Sequence, residues 1–337
     1  MPELPDVAVY VDKIAERAVG KTLSALRFAS PFFLRTYDPK PDRLRGQKLV
    51  AVSRMAKRLV FEFDGELFAI VHLMIAGRFR WLEIDSKGAF AKLPGKLGLA
   101  GFDFADAGTL VVTEASSKKR ASLHLVEGRA GLAAFDRGGL DLETADEAAF
   151  AAAVRSERHT LKRTLTDQTL LSGIGNAYSD EILHAAKLSP LQMSTNLTDE
   201  DMTRLFRATR HVLFSWKGRL AAEPGFPERV TAFREGMAAH GRYGKPCPVC
   251  GSPIQRIVYA DNEVNYCATC QTGGKLLADR SMSRLLGQDW PKNLEELENA
   301  RPAAKLPANP ERSTRAPRLP KTPRAPKPAA ATKKTSS

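Results

Sequence analysis

Two Cys-x-x-Cys pairs, Cys247-Pro-Val-Cys250 and Cys267-Ala-Thr-Cys270, stand sixteen residues apart and contain every cysteine of the chain. Paired knuckles at this spacing match a metal site in a reducing compartment better than a disulfide framework. Four thiolates complete a zinc tetrahedron and leave no open coordination position, so the ion holds structure and cannot activate water. The segment between the pairs must then fold back on itself, with Ile257-Val258-Tyr259 and Val264-Asn265-Tyr266 as hairpin strands and Ala260–Glu263 at the tip.

A ribbon of this size occupies a small part of 337 residues, of which 43% are hydrophobic. Two further domains with their own cores are expected. The net charge of +13 is concentrated at the end of the chain. From Ala300 onward there are ten Lys or Arg against the single acid Glu311, so residues 1–299 carry 41 basic and 37 acidic side chains, a net of +4. The tail 300–337 is Pro, Ala, Lys and Arg with little to bury. It is expected to be disordered and able to touch a polyanion without sequence preference. No basic, then apolar, leader opens the chain and no long apolar run follows, so a soluble, cytoplasmic, nucleoid-associated monomer is expected.

Asp6 to Gly20 has helical periodicity in Val7, Val11, Ile14, Ala15 and Ala18, with Asp6 as N-cap. Strand patterns follow at Arg58–Asp64, Leu67–Leu73, Arg78–Leu82, Leu110–Thr113 and Ser122–Val126, which predicts a β-sandwich with a helix against it. After a linker near Gly128–Glu143, helices are predicted over Asp146–Arg155, His159–Thr166, Ala177–Lys187 and Asp199–Lys217. Before the third lies Leu171-Ser172-Gly173-Ile174-Gly175-Asn176, a Gly-rich turn whose backbone N–H groups suit a phosphate, though such a turn commonly has no ligand. A short helical piece is placed at Met282–Leu286, and Trp81, Trp216 and Trp290 are assigned to packing.

The chain starts Met1-Pro2-Glu3-Leu4-Pro5-Asp6. Removal of Met1 would expose Pro2 as a secondary amine beside a carboxylate. An α-amino group titrates near pH ~8, so an appreciable fraction is an unprotonated nucleophile at neutral pH. Its adduct with a sugar aldehyde carbon has no N–H to lose and persists as a cationic iminium, an electron sink that can loosen a proton and expel a phosphate. As six residues alone, the segment reads more simply as a proline-punctuated lead into a helix.

Pro-Glu-Leu-Pro at the start, a β-rich domain, helices with a Gly-Ile-Gly-Asn turn and a terminal four-cysteine ribbon, in that order, resemble the formamidopyrimidine-DNA glycosylase and endonuclease VIII family over about residues 2–271. The resemblance implies an α+β multidomain protein: an N-terminal catalytic β-sandwich (1–128), a linker (129–144), a helix-two-turn-helix domain (145–242), a zinc hairpin (243–274), a short extension (275–299) and the tail. It implies damaged or abasic-site DNA as partner and a bifunctional glycosylase and abasic-site lyase. In that role Pro2 is the nucleophile at C1′, Glu3 manages protons on the sugar, and Lys57 assists on the backbone. Lys162, Gly173, Gly175 and Asn176 are implied phosphate contacts, and one structural zinc sits on Cys247, Cys250, Cys267 and Cys270.

The sequence also departs from the family pattern. Ile75 stands where one branch commonly has a methionine that fills the hole left by the flipped base. Lys118-Lys119-Arg120-Ala121 replaces an Arg-Arg-Phe wedge, leaving Arg120 to face the orphaned base. At the finger tip Asn262 replaces an arginine, between the acids Asp261 and Glu263, which repels phosphate unless Arg256 reaches across. Phe233–Tyr243 looks too short for the long loop that caps 8-oxoguanine. A charge-assisted phosphate contact contributes roughly 1.5–3 kcal/mol, and flipping is easiest where the base is unpaired or gone. Abasic sites, single strands and poorly paired oxidised pyrimidines are therefore expected over stacked 8-oxoguanine. A non-catalytic damaged-DNA-binding zinc protein on the same fold is the alternative.

Overall fold

Pro5 lies in the first turn of helix α1 (Leu4–Ala18), where its fixed φ and missing N–H cost nothing. The helix therefore starts before Asp6. Glu3 is the N-cap, and the Asp6 carboxylate accepts from the Glu3 N–H at 3.0 Å, correcting the expectation that Asp6 caps. The computed structural model describes residues 1–229, 231, 234–259, 262–278, 287 and 291–299. Expectations for Ala260 and Asp261 at the hairpin tip, Phe233, Met282–Leu286, Trp290 and the tail 300–337 lie outside the described residues.

Two four-stranded antiparallel sheets follow α1. One has the order β1 (Leu23–Phe28), β6 (Gly98–Phe104), β7 (Gly108–Glu114), β5 (Gly77–Leu82). The other runs β2 (Leu49–Met55), β3 (Arg58–Phe63), β4 (Leu67–His72), β8 (Ser122–Glu127). Their inner faces share one core with α1, in which Tyr10, Phe61, Phe79, Phe102 and Phe104 are buried. Strand β6 escapes the sequence pattern, because Gly98-Leu-Ala-Gly-Phe-Asp-Phe has two glycines and an acid. Its Asp103 is tolerated in the interior because Arg27 grips both carboxylate oxygens, at 2.5 and 2.7 Å, and Thr109 Oγ1 donates at 2.7 Å.

The segment placed in the linker carries a short helix, α2 (Gly128–Ala133). Four helices form the second core: α3 (Glu147–Arg155), α4 (Leu161–Thr166), α5 (Asn176–Ala186) and α6 (Asp199–Ala222). Thr198 caps α6, accepting from Asp201 N–H at 3.1 Å, and Asp199, Glu200 and Asp201 put negative charge at its N-terminus. The helix continues beyond Lys217 because Trp216 and Leu220 still face the interior. Leu4 packs into this helical core while Val7, Tyr10 and Ile14 pack into the sandwich. The start of the chain therefore lies at the junction of the two cores. The zinc hairpin pairs β9 (Ile254–Tyr259) with β10 (Asn262–Cys267) in antiparallel register, longer than the predicted strands. Among the described residues no helix is long and apolar enough to cross a membrane.

Candidate active site

The turn before α5 receives the N-terminal segment. Leu4 N–H donates to Gly173 O at 2.9 Å, and the Glu3 carboxylate accepts from the N–H groups of Gly175 (2.6 Å), Ala177 (3.0 Å) and Tyr178 (3.2 Å). Glu3 thus takes up donors that a helix N-terminus leaves over. Gly173 sits at φ +94°, and a Cβ there would lie 2.9 Å from Leu4 Cβ. A Cβ on Gly175 would lie 2.6 Å from the Glu3 carboxyl carbon and 2.9 Å from Lys57 Nζ. These glycines are explained by the close approach of Leu4, Glu3 and Lys57. Gly175→Ala is expected to destabilise the fold by about 1–3 kcal/mol through overpacking. Displacing Glu3 by about 1 Å should cost on the order of 100-fold in any chemistry at this site. Thermal melts and turnover of one preparation check both, and wild-type turnover in Gly175→Ala would show that Glu3 needs no fixed position.

Pro2 is buried, and the Met1 carbonyl accepts from Thr231 Oγ1 at 3.0 Å. The Met1 amine is held below its ordinary range mainly by burial; Glu3 and Asp6 pull it back up, and Arg78 and Lys57 press it further down. Lys57 is likewise lowered by burial, with Glu3 opposing and Arg137 adding to the shift. Burial thus disfavours the charged form of both the Met1 amine and Lys57.

Met1 and Lys57 line a cavity of about 360 Å³ together with Arg58, His72, His124 and Arg137. Two of its lining residues, Ala56 and Met74, have φ of 53° and 52° without being glycine, so strained backbone clusters at this cavity. His72 is pushed down to about 4 by burial and by Arg58, Lys57, Arg137 and His124. At neutral pH its ring is uncharged. The folded value lies below the ordinary 6.5, so the stability it contributes above 6.5 is lost as pH falls toward 4. Between about pH 7 and 5, wild-type protein should lose about 1–2 kcal/mol more than His72→Gln in chemical denaturation. Equal losses in the two proteins would remove this account of His72.

Helix α5 also carries the links to the rest of the site. Asp180, fully buried, accepts from Lys162 Nζ at 2.6 Å, contacts His240 Nδ1 at 2.7 Å and receives Asn265 Nδ2 at 3.4 Å. Glu181 accepts the N–H groups of Ala238, Ala239 and His240 at 2.7–2.8 Å. His184 Nε2 lies 3.2 Å from Cys247 Sγ. At the other end Asp6 pairs with Arg234, which also donates to Tyr178 OH at 3.1 Å. Sequence reasoning missed Asp180, Glu181, His184, His240 and Arg234, and saw Asp6 only as a helix cap. The pairings that tie these side chains across the fold, Arg234 to Asp6 and Tyr178, Glu181 to residues 238–240, His240 to Asp180 and His184 to Cys247, span 56 or more residues, so no local pattern announces them.

The four cysteine sulfurs lie within 4.8 Å of one another, and Cys270 N–H points at Cys267 Sγ from 3.4 Å, as a metal knuckle requires. This donor set fits one structural zinc.

The implied DNA contacts divide. Lys162, Gly175, Asn176 and Asn262 line a second cavity of about 360 Å³ between the helices and the hairpin, and Lys57 lines both cavities. Gly173 lies outside this lining and its N–H donates to Gln168 Oε1 at 3.0 Å, while the Gly175 N–H is given to Glu3. Asn176 Nδ2 donates to Glu263 O at 3.0 Å. Arg256 does reach across: its guanidinium is 3.7 Å from Glu263 and lies over the Tyr243 ring. Arg120 and Ile75 are exposed; buried Glu114 accepts the Arg120 and Ala121 N–H groups and fixes that loop.

Three family profiles match in chain order: the formamidopyrimidine-DNA glycosylase N-terminal domain at residues 1–126, its H2TH domain at 140–215, and the zinc finger found in FPG and IleRS at 244–273. Fold and site together define a DNA glycosylase with a sandwich, a helix-two-turn-helix domain and a zinc finger. The formamidopyrimidine-DNA glycosylase of Chloroflexus aurantiacus is 31% identical over 292 residues, 80% of this chain and 98% of that one. An uncharacterized formamidopyrimidine-DNA glycosylase-like protein of Mycobacterium tuberculosis is 45% identical over 147 residues, 44% of this chain and 90% of that one. Among solved structures, MutM (FPG) of Thermus thermophilus is 28% identical with a TM-score of 0.67, over 80% of this chain and 98% of that one. The Lactococcus lactis glycosylase non-covalently bound to DNA containing an abasic site is 25% identical with a TM-score of 0.68, over 80% and 99%. The chain belongs to the formamidopyrimidine-DNA glycosylase family.

Proposed function

We propose that the chain is a bifunctional DNA glycosylase and abasic-site lyase acting through Pro2 on damaged or abasic-site duplex DNA. The observation that carries this reading is the placement of Pro2, Glu3 and Lys57 at the junction of two domains, with Glu3 fixed by three N–H groups of α5. Once Met1 is removed, the Pro2 nitrogen attacks C1′ and the bond from C1′ to the damaged base breaks, the base leaving with a proton. Glu3 protonates the ring oxygen and the sugar opens to an iminium. Loss of a C2′ proton then drives the C3′–O3′ electron pair onto the phosphate, which leaves as a phosphate monoester. A second elimination at C5′ leaves another on the upstream strand. Water hydrolyses the iminium and frees Pro2. Buried Lys57, whose pKa burial lowers, assists proton removal beside the phosphates.

The helical turn, the hairpin and the basic tail bind the DNA as a monomer. Asn262 with the Arg256–Glu263 pair leaves the hairpin tip with less free positive charge than an arginine would supply, which favours lesions that flip easily. Zinc-loaded protein lacking Met1 is expected to nick abasic duplexes and those with oxidised pyrimidines faster than duplexes with stacked 8-oxoguanine. Binding without any nicking would establish the non-catalytic alternative.

A further inference from the structure

The cavity under Met1 has a charge balance that the lyase chemistry alone does not need. Among the described residues two guanidinium groups line it, Arg58 and Arg137, beside the amines of Lys57 and Met1, and no carboxylate does. Lys57 is offset by Glu3 behind it. Arg58 donates only to a carbonyl, Phe135 O at 2.7 Å, and lies over the Phe135 ring, so its charge is not neutralised. Arg137 is exposed and makes no hydrogen bond or ion pair among the described residues. Around these charges stand neutral hydrogen-bonding groups, His72, His124, Ser122 and Gln168. Burial first, then nearby arginines, keeps both rings below their ordinary range.

Two uncompensated positive charges exceed what a backbone phosphodiester, with one negative charge, requires. A phosphate monoester carries about −1.5 to −2 at neutral pH and offers three strong acceptor oxygens. Paired guanidinium groups suit such an anion geometrically as well as electrostatically. The position also fits, because Met1 lines the same cavity and Lys57 separates it from the groove beside the hairpin.

We propose that this cavity is a product-end subsite in which Arg58 and Arg137 hold the phosphate monoester left at a strand end after elimination. The proposal rests on the lyase reading above. It implies that the enzyme keeps hold of the nick it makes, so product release is slowed by these two arginines.

The test uses full-length, zinc-loaded protein lacking Met1 and duplexes with a one-nucleotide gap whose ends carry a 3′-phosphate, a 5′-phosphate or only hydroxyls. Fluorescence anisotropy is expected to show one of the phosphate-ended gaps bound about tenfold tighter than the hydroxyl-ended gap, a single charge-assisted contact at its lower limit. The end that shows the increase identifies which monoester the cavity takes. Arg137→Ala, at an exposed position where folding is not at stake, and Arg58→Ala are each expected to bring the ratio close to one. Equal affinity of the wild type for all three gaps would overturn the subsite, as would a ratio that survives both substitutions. Borohydride trapping on an uncut abasic duplex, run on the same preparation, separates the two readings. An adduct with a flat ratio removes the subsite alone, whereas no adduct removes the lyase on which it rests.

Discussion

Glu3→Gln is expected to yield a folded protein whose base excision falls by about 10²- to 10⁴-fold, the usual contribution of a positioned acid–base group. Both Glu3 oxygens now accept: Oε2 from Gly175 and Tyr178, Oε1 from Ala177. Glutamine must turn an NH2 toward one set of these donors. One or two charge-assisted bonds are lost, and the negative charge at the N-terminus of α5 disappears. A stability loss of about 2–4 kcal/mol follows. The two consequences have separate readouts, denaturation for the fold and single-turnover excision for the chemistry. On a preformed abasic site the loss should be smaller, because the glycosidic bond is already broken and Pro2 can still form its iminium. Excision within tenfold of wild type would show that Glu3 only anchors α5.

Zinc loss has the second large effect. Structural zinc sites contribute apparent binding energies of about 10–16 kcal/mol, which the folded state loses when the metal goes. Neither large core contains a cysteine, so the sandwich and the helices should keep their secondary structure after chelation or in Cys267→Ser. What goes is the hairpin and its attachments to α5: Asn176 to Glu263, Asn265 to Asp180, and His184 to Cys247. One wall of the groove lined by Asn176, Asn262 and Lys162 goes with it. Affinity for abasic duplex is expected to fall by more than about 100-fold while far-UV circular dichroism changes little, since several phosphate contacts are lost together. Affinity within threefold of wild type in protein shown to lack zinc would mean that the hairpin is not part of the DNA surface.

The features legible in the sequence are those whose chemistry is local. Paired cysteines, helical periodicity and alternating strands such as Ser122–Glu127 depend on neighbours a few residues away. Strand β6 is hidden because its burial depends on Arg27, 76 residues from Asp103. The Gly-rich turn is visible as a turn, but what it holds is not. Its Gly175 amide serves Glu3, 172 residues distant, and Lys162 is turned inward to Asp180 and the Asn176 carbonyl. The N-terminus is readable as a nucleophile and a carboxylate. The parts that fix it, Arg234 on Asp6 and Thr231 on the Met1 carbonyl, lie more than two hundred residues away. A single sequence carries no signal for such pairings, because charged and polar residues at those positions look like surface.

The most direct test of the central claim is borohydride reduction of the protein on abasic-site DNA, followed by mass mapping of the cross-linked peptide. Protein lacking Met1 is expected to give a covalent adduct on Pro2, and protein with an N-terminal extension, or Pro2→Gly acetylated at its amine, to give none. An adduct on Lys57 or any other lysine, or an equal yield from the extended protein, would contradict the account and remove Pro2 from the chemistry.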